Sequence, residues 1–382
     1  MGAQIAEFRI DGRTVSIHGF FSQGYMKSDG NNFITAGTGN GTFQMSDGVL
    51  NIGTNITDRL HVGAQVYDRY IGQLGKGQVQ LDWAYADYRV KDWLGFRGGK
   101  VKTALGLYND TQDMGFLHTW ALLPQSIYPT DLRSVNIAEL GGSAYGGLPI
   151  SRLGSLTYQV YGGARPGDWR SGEMYGYSDV NLPLTSLPAG AKIGEDIRWE
   201  TPLKGLMVGM SHLDQNNHLV GMLMPYKIPG YADTRYDATW DGYGEYSWAR
   251  LKVASEYRNE SRAAVLVIGG KQQPLRVAGL RSFFASVTWR FNPWFQLGTY
   301  NSRFYFVANS VPGLLAGADA HVFDQTVTAR FDIRRYWTLK VEGHFMDGVG
   351  SPLSDHGFYL FDNPQGLKNH TNLLVLKLGF NM

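Results

Sequence analysis

Several groups of residues have types and spacings that could carry chemistry. Gly37-Thr38-Gly39-Asn40-Gly41 has the glycine density of a phosphate cradle, but no helix N-terminus follows it, and it reads as a loop tip. His212 and His218, in the stretch HLDQNNH, are separated by a gap that matches no zinc spacing, so they read as solvated polar residues. Asp110, Asp113 and Asp131 could gather around a hard cation, although turns and caps are the commoner use of such residues. No Ser, His and Asp grouping suggests a hydrolase. Neither an enzyme, a cofactor nor a bound metal is therefore expected.

The densest chemistry is a set of charges that recur at alternate positions. Arg235, Asp237, Asp241 and Glu245 form one row, and Lys252, Glu256 and Arg258 the next. Arg59, His61, Gln65 and Arg69 form another, beside Lys192, Asp196, Arg198 and Glu200, and then Lys340, Glu342 and His344. A period of two puts each row on one face of a strand, with Trp240, Trp248, Val253 and Tyr257 on the opposite face. Cross-strand charge pairs inside a hydrated tube are the expected use of such rows. Purely apolar sides occur at Leu374, Leu376, Leu378 and Phe380, and at Phe283, Val287, Trp289 and Phe291. Arginine at Val287, Leu376 or Phe331 should therefore be costly, whereas Thr288 and Thr328, on the charged side, should accept it.

These strands fall in a regular order. About sixteen candidates are joined alternately by short and long connections, the pattern of outer-membrane barrels with tight periplasmic turns and long external loops. Short turns are expected at Thr57-Asp58, Ala249-Arg250, Asn292-Pro293 and Arg334-Arg335; long loops are expected at 27–47, 106–136, 165–190, 213–232, 259–280 and 348–370. Trp93, Trp199, Trp248, Trp289, Trp294 and Trp337 lie near the short turns, as an aromatic girdle at a membrane interface requires.

Composition agrees with this class and excludes others. The chain has 382 residues, 49 Gly and no Cys, and its net charge of +2 argues against a partner bound by phosphate neutralisation, so no nucleic acid is expected. No run of eighteen apolar residues predicts a spanning helix. Residues 1–13 carry Glu7, Arg9, Asp11 and Arg13 and read as a periplasmic N-terminal segment, with 14–382 a single transmembrane antiparallel all-β barrel.

The connection 106–136 is too apolar, with Met114, Phe116, Trp120, Leu122 and Ile127, to wave in water. It is expected to pack on the inner wall, as a long third external loop folded into the lumen. It follows Gly99-Lys100-Val101-Lys102 and opens Gly106-Leu107-Tyr108-Asn109-Asp110. That sequence, with a long connection at this point, resembles the trimeric outer-membrane porins, especially their phosphate-selective O/P-like branch. The resemblance implies a homotrimer in outer-membrane lipid and a constriction formed by Tyr108 through Arg133. The dense arginine or lysine cluster that phosphate selectivity requires is absent. The pore-lining set expected is Arg59, His61, Arg97, Lys100, Lys102, Tyr108, Asp110, Asp113, Asp131, Arg133, Arg235, Asp237 and Asp241, with Asp110, Asp113 and Asp131 facing Lys100, Lys102, Arg59 and Arg97 across the waist. The function expected is passive diffusion of small hydrophilic solutes or ions with weak or no anion preference. The alternatives are a substrate-specific channel with a recognition site in the folded loop, and a structural barrel that sheathes a partner.

Overall fold

A computed structural model describes residues 6–10, 12–309, 317–350 and 356–381. Its strands are β1 (Ala6–Ile10), β2 (Arg13–Ser28), β3 (Met45–Asn55), β4 (Leu60–Ile71), β5 (Gln80–Lys91), β6 (Leu94–Lys102), β7 (Ala138–Pro149), β8 (Ser155–Ala164) and β9 (Ala191–Glu200). They continue as β10 (Leu206–Gln215), β11 (Asn217–Leu223), β12 (Ile228–Trp248), β13 (Leu251–Ile268), β14 (Lys271–Asn292), β15 (Phe295–Asn309), β16 (His321–Arg334), β17 (Trp337–Asp347) and β18 (His370–Asn381). Each pairs antiparallel with the next, except that β10 and β11 both pair with β12, and β18 returns to β2 with Leu376 opposite Tyr25. Among the described residues this is a closed barrel of 16 strands. Closure leaves no unpaired edge for lipid to meet, which is why a chain with no spanning helix among its described residues can still cross a bilayer.

The alternation read from the sequence separates two environments. On β16, Val327 is half exposed while Asp324, Thr326 and Thr328 are buried; on β14, Val287, Trp289 and Phe291 are exposed while Ser282, Phe284, Ser286 and Thr288 are buried. The apolar face is therefore the outer one, the reverse of a water-soluble barrel. All six girdle tryptophans are exposed at the short-turn end.

Short turns fall within a residue or two of their expected places, but three other regions differ. Ala6–Ile10, within the expected N-terminal segment, forms a hairpin with the start of β2. The expected loop 259–280 is continuous strand apart from Gly269 and Gly270, both with positive φ, so β13 and β14 run 18 and 22 residues. The expected loop 213–232 is largely the β11–β12 hairpin. At about 3.4 Å per residue these strands are longer than a bilayer crossing needs. Their outer halves project beyond the membrane, where the one-sided apolar pattern that marks a crossing has no reason to persist.

Candidate functional site

The inner face should be hydrated in an open tube, yet Glu342, Thr326, Thr328 and Glu256 are at most 1% exposed. The chain between β6 and β7, which includes 106–136, accounts for this burial, because it is hydrogen-bonded to strands far along the sequence. Gly106 N donates to Ser211 Oγ on β10 at 2.9 Å, and Ala121 N and Leu122 N donate to the two carboxylate oxygens of Glu342 on β17 at 2.8 and 2.9 Å. Lys340 Nζ donates to the carbonyls of Gly115 and Trp120 at 2.6 Å each, Arg330 to that of His118 at 2.8 Å, and Arg258 to that of Ile127 at 2.9 Å. Irregular backbone away from water needs partners for its N–H and C=O groups, and here carboxylates take the amides while cations take the carbonyls. Many wall charges are thereby committed to holding this segment.

Two glycines allow the close approach. Gly106 has φ +70°, and a Cβ there would lie 2.1 Å from Glu256 Oε1. Gly298 on β15 is the seat of the Trp120 ring, which a Cβ would meet at 2.7 Å. Trp120 also packs edge-on against Tyr300, with ring centroids 4.9 Å apart.

The expected pore-lining residues divide into those joined to this segment and those apart from it. Arg133 makes a two-pronged bond to Asp82 at 2.9 and 2.8 Å, with its guanidinium 3.9 Å from the Tyr67 ring centroid. Lys102 holds Asp113 at 2.8 Å, and Asp110 lies 3.5 Å from Arg198. Tyr108 N donates to the Tyr128 hydroxyl, which donates to Glu256 at 2.5 Å. Asp241 accepts from Arg258 at 2.6 Å, and Asp237 from Arg262 at 3.0 Å. Asp110, Asp113 and Asp131 thus go to separate partners, and among the described residues no acidic or histidine group is arranged for a metal.

Of the cations set against those carboxylates, only Lys102 meets one. Arg97 pairs with Asp87 at 2.9 Å under Tyr145, and Lys100 donates to the Leu81 carbonyl at 2.6 Å, sharing a face with the lipid-side Leu140. Arg59 is exposed on the β3–β4 turn, and His61 bonds Asn55 at 3.0 Å. The side chain of Arg235 lies outside the described residues. His212 and His218 also part, to Glu195 and Asp233.

Asp131 sits beneath the long connections. Its Oδ2 accepts from the Tyr359 hydroxyl at 2.6 Å and Gly357 N at 3.1 Å, while burial pushes its carboxyl up to about 6. Around it, Asp179 accepts from Leu360 N and Phe361 N, Tyr175 donates to Asp362, and Asn31 reaches Lys368. The connections 29–44, 165–190 and 356–369 are thereby laced together at one end. Burial also holds the His118 imidazole down at about 3, and so neutral.

Of the residues that fasten the segment, Glu256, Arg258, Lys340 and Glu342 were visible only as members of the charged rows. Their alternation gave the face but nothing about what they touch. Trp120 on Gly298 left no sequence signal.

No family model matches the chain, and no curated protein matches its sequence. Solved structures do share its fold. They include the outer-membrane channel DcaP of Acinetobacter baumannii, at TM-score 0.58 and 11% identity, covering 99% of this chain and 100% of that one. OmpF of Salmonella typhi, in complex with daunomycin, superposes at TM-score 0.57 and 10% identity, with the same coverage. An anion-selective porin from Comamonas acidovorans superposes at TM-score 0.54 and 10% identity, covering 97% of this chain and 100% of that one. The shared feature is the outer-membrane barrel fold.

Proposed function

We propose that this chain is an outer-membrane channel for small hydrophilic solutes, narrowed where residues 106–136 lie across its lumen. The observation that carries the reading is the sorting of faces around a closed 16-strand ring, apolar outside and charged inside. Such a tube lets solutes pass by size, and its wall charges bias their sign. With most inner charges already paired, a weak anion preference or none is the expectation for bulk ions. A homotrimer follows from the resemblance to trimeric porins and is tested by cross-linking in native membranes.

A substrate-specific channel is the second reading. Its support is the number of strands that 106–136 engages, β10 and β13 through β17 among them. Bilayer recording with the segment shortened between Gly115 and Leu132 tests the common part. Conductance should rise, and an unchanged value would place the segment outside the conduction path. Block of the full-length channel by one solute class, and not by its neutral analogue, would select the specific reading.

A further inference from the structure

Below the segment, toward the short turns, lies a cavity of about 240 Å³. One side is apolar, formed by the rings of Tyr108 and Trp120 with Leu117. The other is basic: Arg250, Lys252, Arg290 and Arg330 line it, and no carboxylate does among the described residues. Two carboxylates stand behind these cations. Glu245 pairs with Lys252 at 2.6 Å, and Asp332 is shared by Arg290 at 3.0 Å and Arg330 at 2.9 Å. Four cations against two carboxylates leave an excess of two positive charges facing the space. Arg250 contributes directly to that excess, since its guanidinium donates to the Phe291 carbonyl at 3.1 Å and to neither carboxylate. A further polar group is available: Thr288 is 4% exposed, lines the cavity, and its hydroxyl has no hydrogen-bond partner. His118, also on the wall, is neutral and adds no charge to either side.

We propose that this cavity binds a small organic anion, a carboxylate carried on a compact apolar body, with the carboxylate at Arg250 and Lys252 and the body against Tyr108 and Trp120. Its volume is that of roughly eight water molecules, suited to one aromatic ring and its acid group. An excess of cations beside aromatic faces favours such a ligand over a neutral solute and over a compact, strongly hydrated anion. The cavity lies on the short-turn side of 106–136, so it would hold a solute after the narrowing, on the periplasmic side. The inference rests on the channel reading only for the route by which the ligand arrives.

The test is calorimetric titration of the full-length protein in detergent with benzoate, benzyl alcohol and inorganic phosphate. One benzoate per chain is expected, weakening as salt is raised, with benzyl alcohol and phosphate at least tenfold weaker. Arg250→Gln with Lys252→Gln should weaken benzoate at least tenfold, and Thr288→Val should weaken it while leaving both cations in place. Equal benzoate affinity in wild type and the double variant would overturn the proposal. Binding of benzyl alcohol as tightly as benzoate would remove the role of charge, and phosphate binding as tightly as benzoate would remove that of the apolar body. Either result overturns it. The same preparation is recorded in a bilayer: current without benzoate affinity defeats this inference and leaves the channel reading, whereas affinity without current does the reverse.

Discussion

Glu342→Gln is the sharpest probe of how 106–136 is held. Both carboxylate oxygens of Glu342 accept backbone amides of the segment, Ala121 N at 2.8 Å and Leu122 N at 2.9 Å, and Oε2 also accepts the Thr328 hydroxyl at 2.5 Å. Glutamine keeps one oxygen and replaces the other with NH₂, which can only donate. Whichever way the amide turns, one backbone N–H faces another donor in a site that is 0% exposed. The loss of one charge-assisted bond costs about 1.5–3 kcal/mol. If it falls on the attached state alone, it multiplies the population of the detached segment about 10- to 150-fold. Hydrogen exchange in detergent micelles should show protection at Ala121 and Leu122 falling by that factor, while the Leu376 amide, in the β17–β18 ladder, keeps its own. Bilayer recordings should show more frequent excursions from the main current level. Unchanged protection at both amides would refute the idea that Glu342 anchors the segment.

Other perturbations follow from the same geometry. Val287→Arg, on the outer face, should cost roughly 2–4 kcal/mol of folding stability near the bilayer midplane, read from urea titration in lipid; a neutral result would mean this face does not meet lipid. Thr288 and Thr328 were expected to accept arginine alike. Thr288 borders the 240 Å³ cavity, so Thr288→Arg should fold, whereas Thr328, fully buried with its hydroxyl on Glu342, leaves no such room, and Thr328→Arg should lower the unfolding midpoint by several kcal/mol equivalent, about the cost of a buried unpaired charge. Asp131, raised to about 6 from 3.8, binds its proton more tightly when the loops are packed; packing is strongest below pH 4 and weakens as pH rises through 6, by about 3 kcal/mol at most. The exchange protection of the Gly357 amide should fall across that window, and Asp131→Asn should abolish the trend; a flat wild-type profile would show that Asp131 stays ionised. Gly298→Val should displace Trp120 and change its fluorescence, and an unaltered spectrum would contradict the close approach seen at that glycine.

The outer surface of the barrel was legible because lipid imposes one rule on every strand it touches. Leu374, Val287 and Ile333 each announce their side by type alone, and the tryptophans near the turns mark its lower rim. What sequence could not show is where a side chain ends. Lys100 and Lys102 are two residues apart and were expected to act together. Yet only Lys102, at the strand end, reaches Asp113, while Lys100 bonds the Leu81 carbonyl. The hairpins at 213–232 and 259–280 were hidden for the opposite reason: beyond the membrane neither face is required to be apolar, so the alternation that identifies a strand fades while its backbone pairing continues.

The stitching of 106–136 to the wall also constrains the order in which the molecule can be made. Its partners on β10 through β17 are translated long after it, and Glu342 stands some 220 positions away from the amides it accepts. Contacts of such separation form late and slowly. With 106–136 in the lumen, as proposed above, a finished ring cannot admit the segment through its side. It must already lie among those strands when β18 meets β2, or descend through the mouth before Tyr359 and Gly357 close over Asp131. Insertion into the bilayer, closure of the seam and lacing of the outer connections are then successive events, and a segment that misses its turn is locked out by the step that follows.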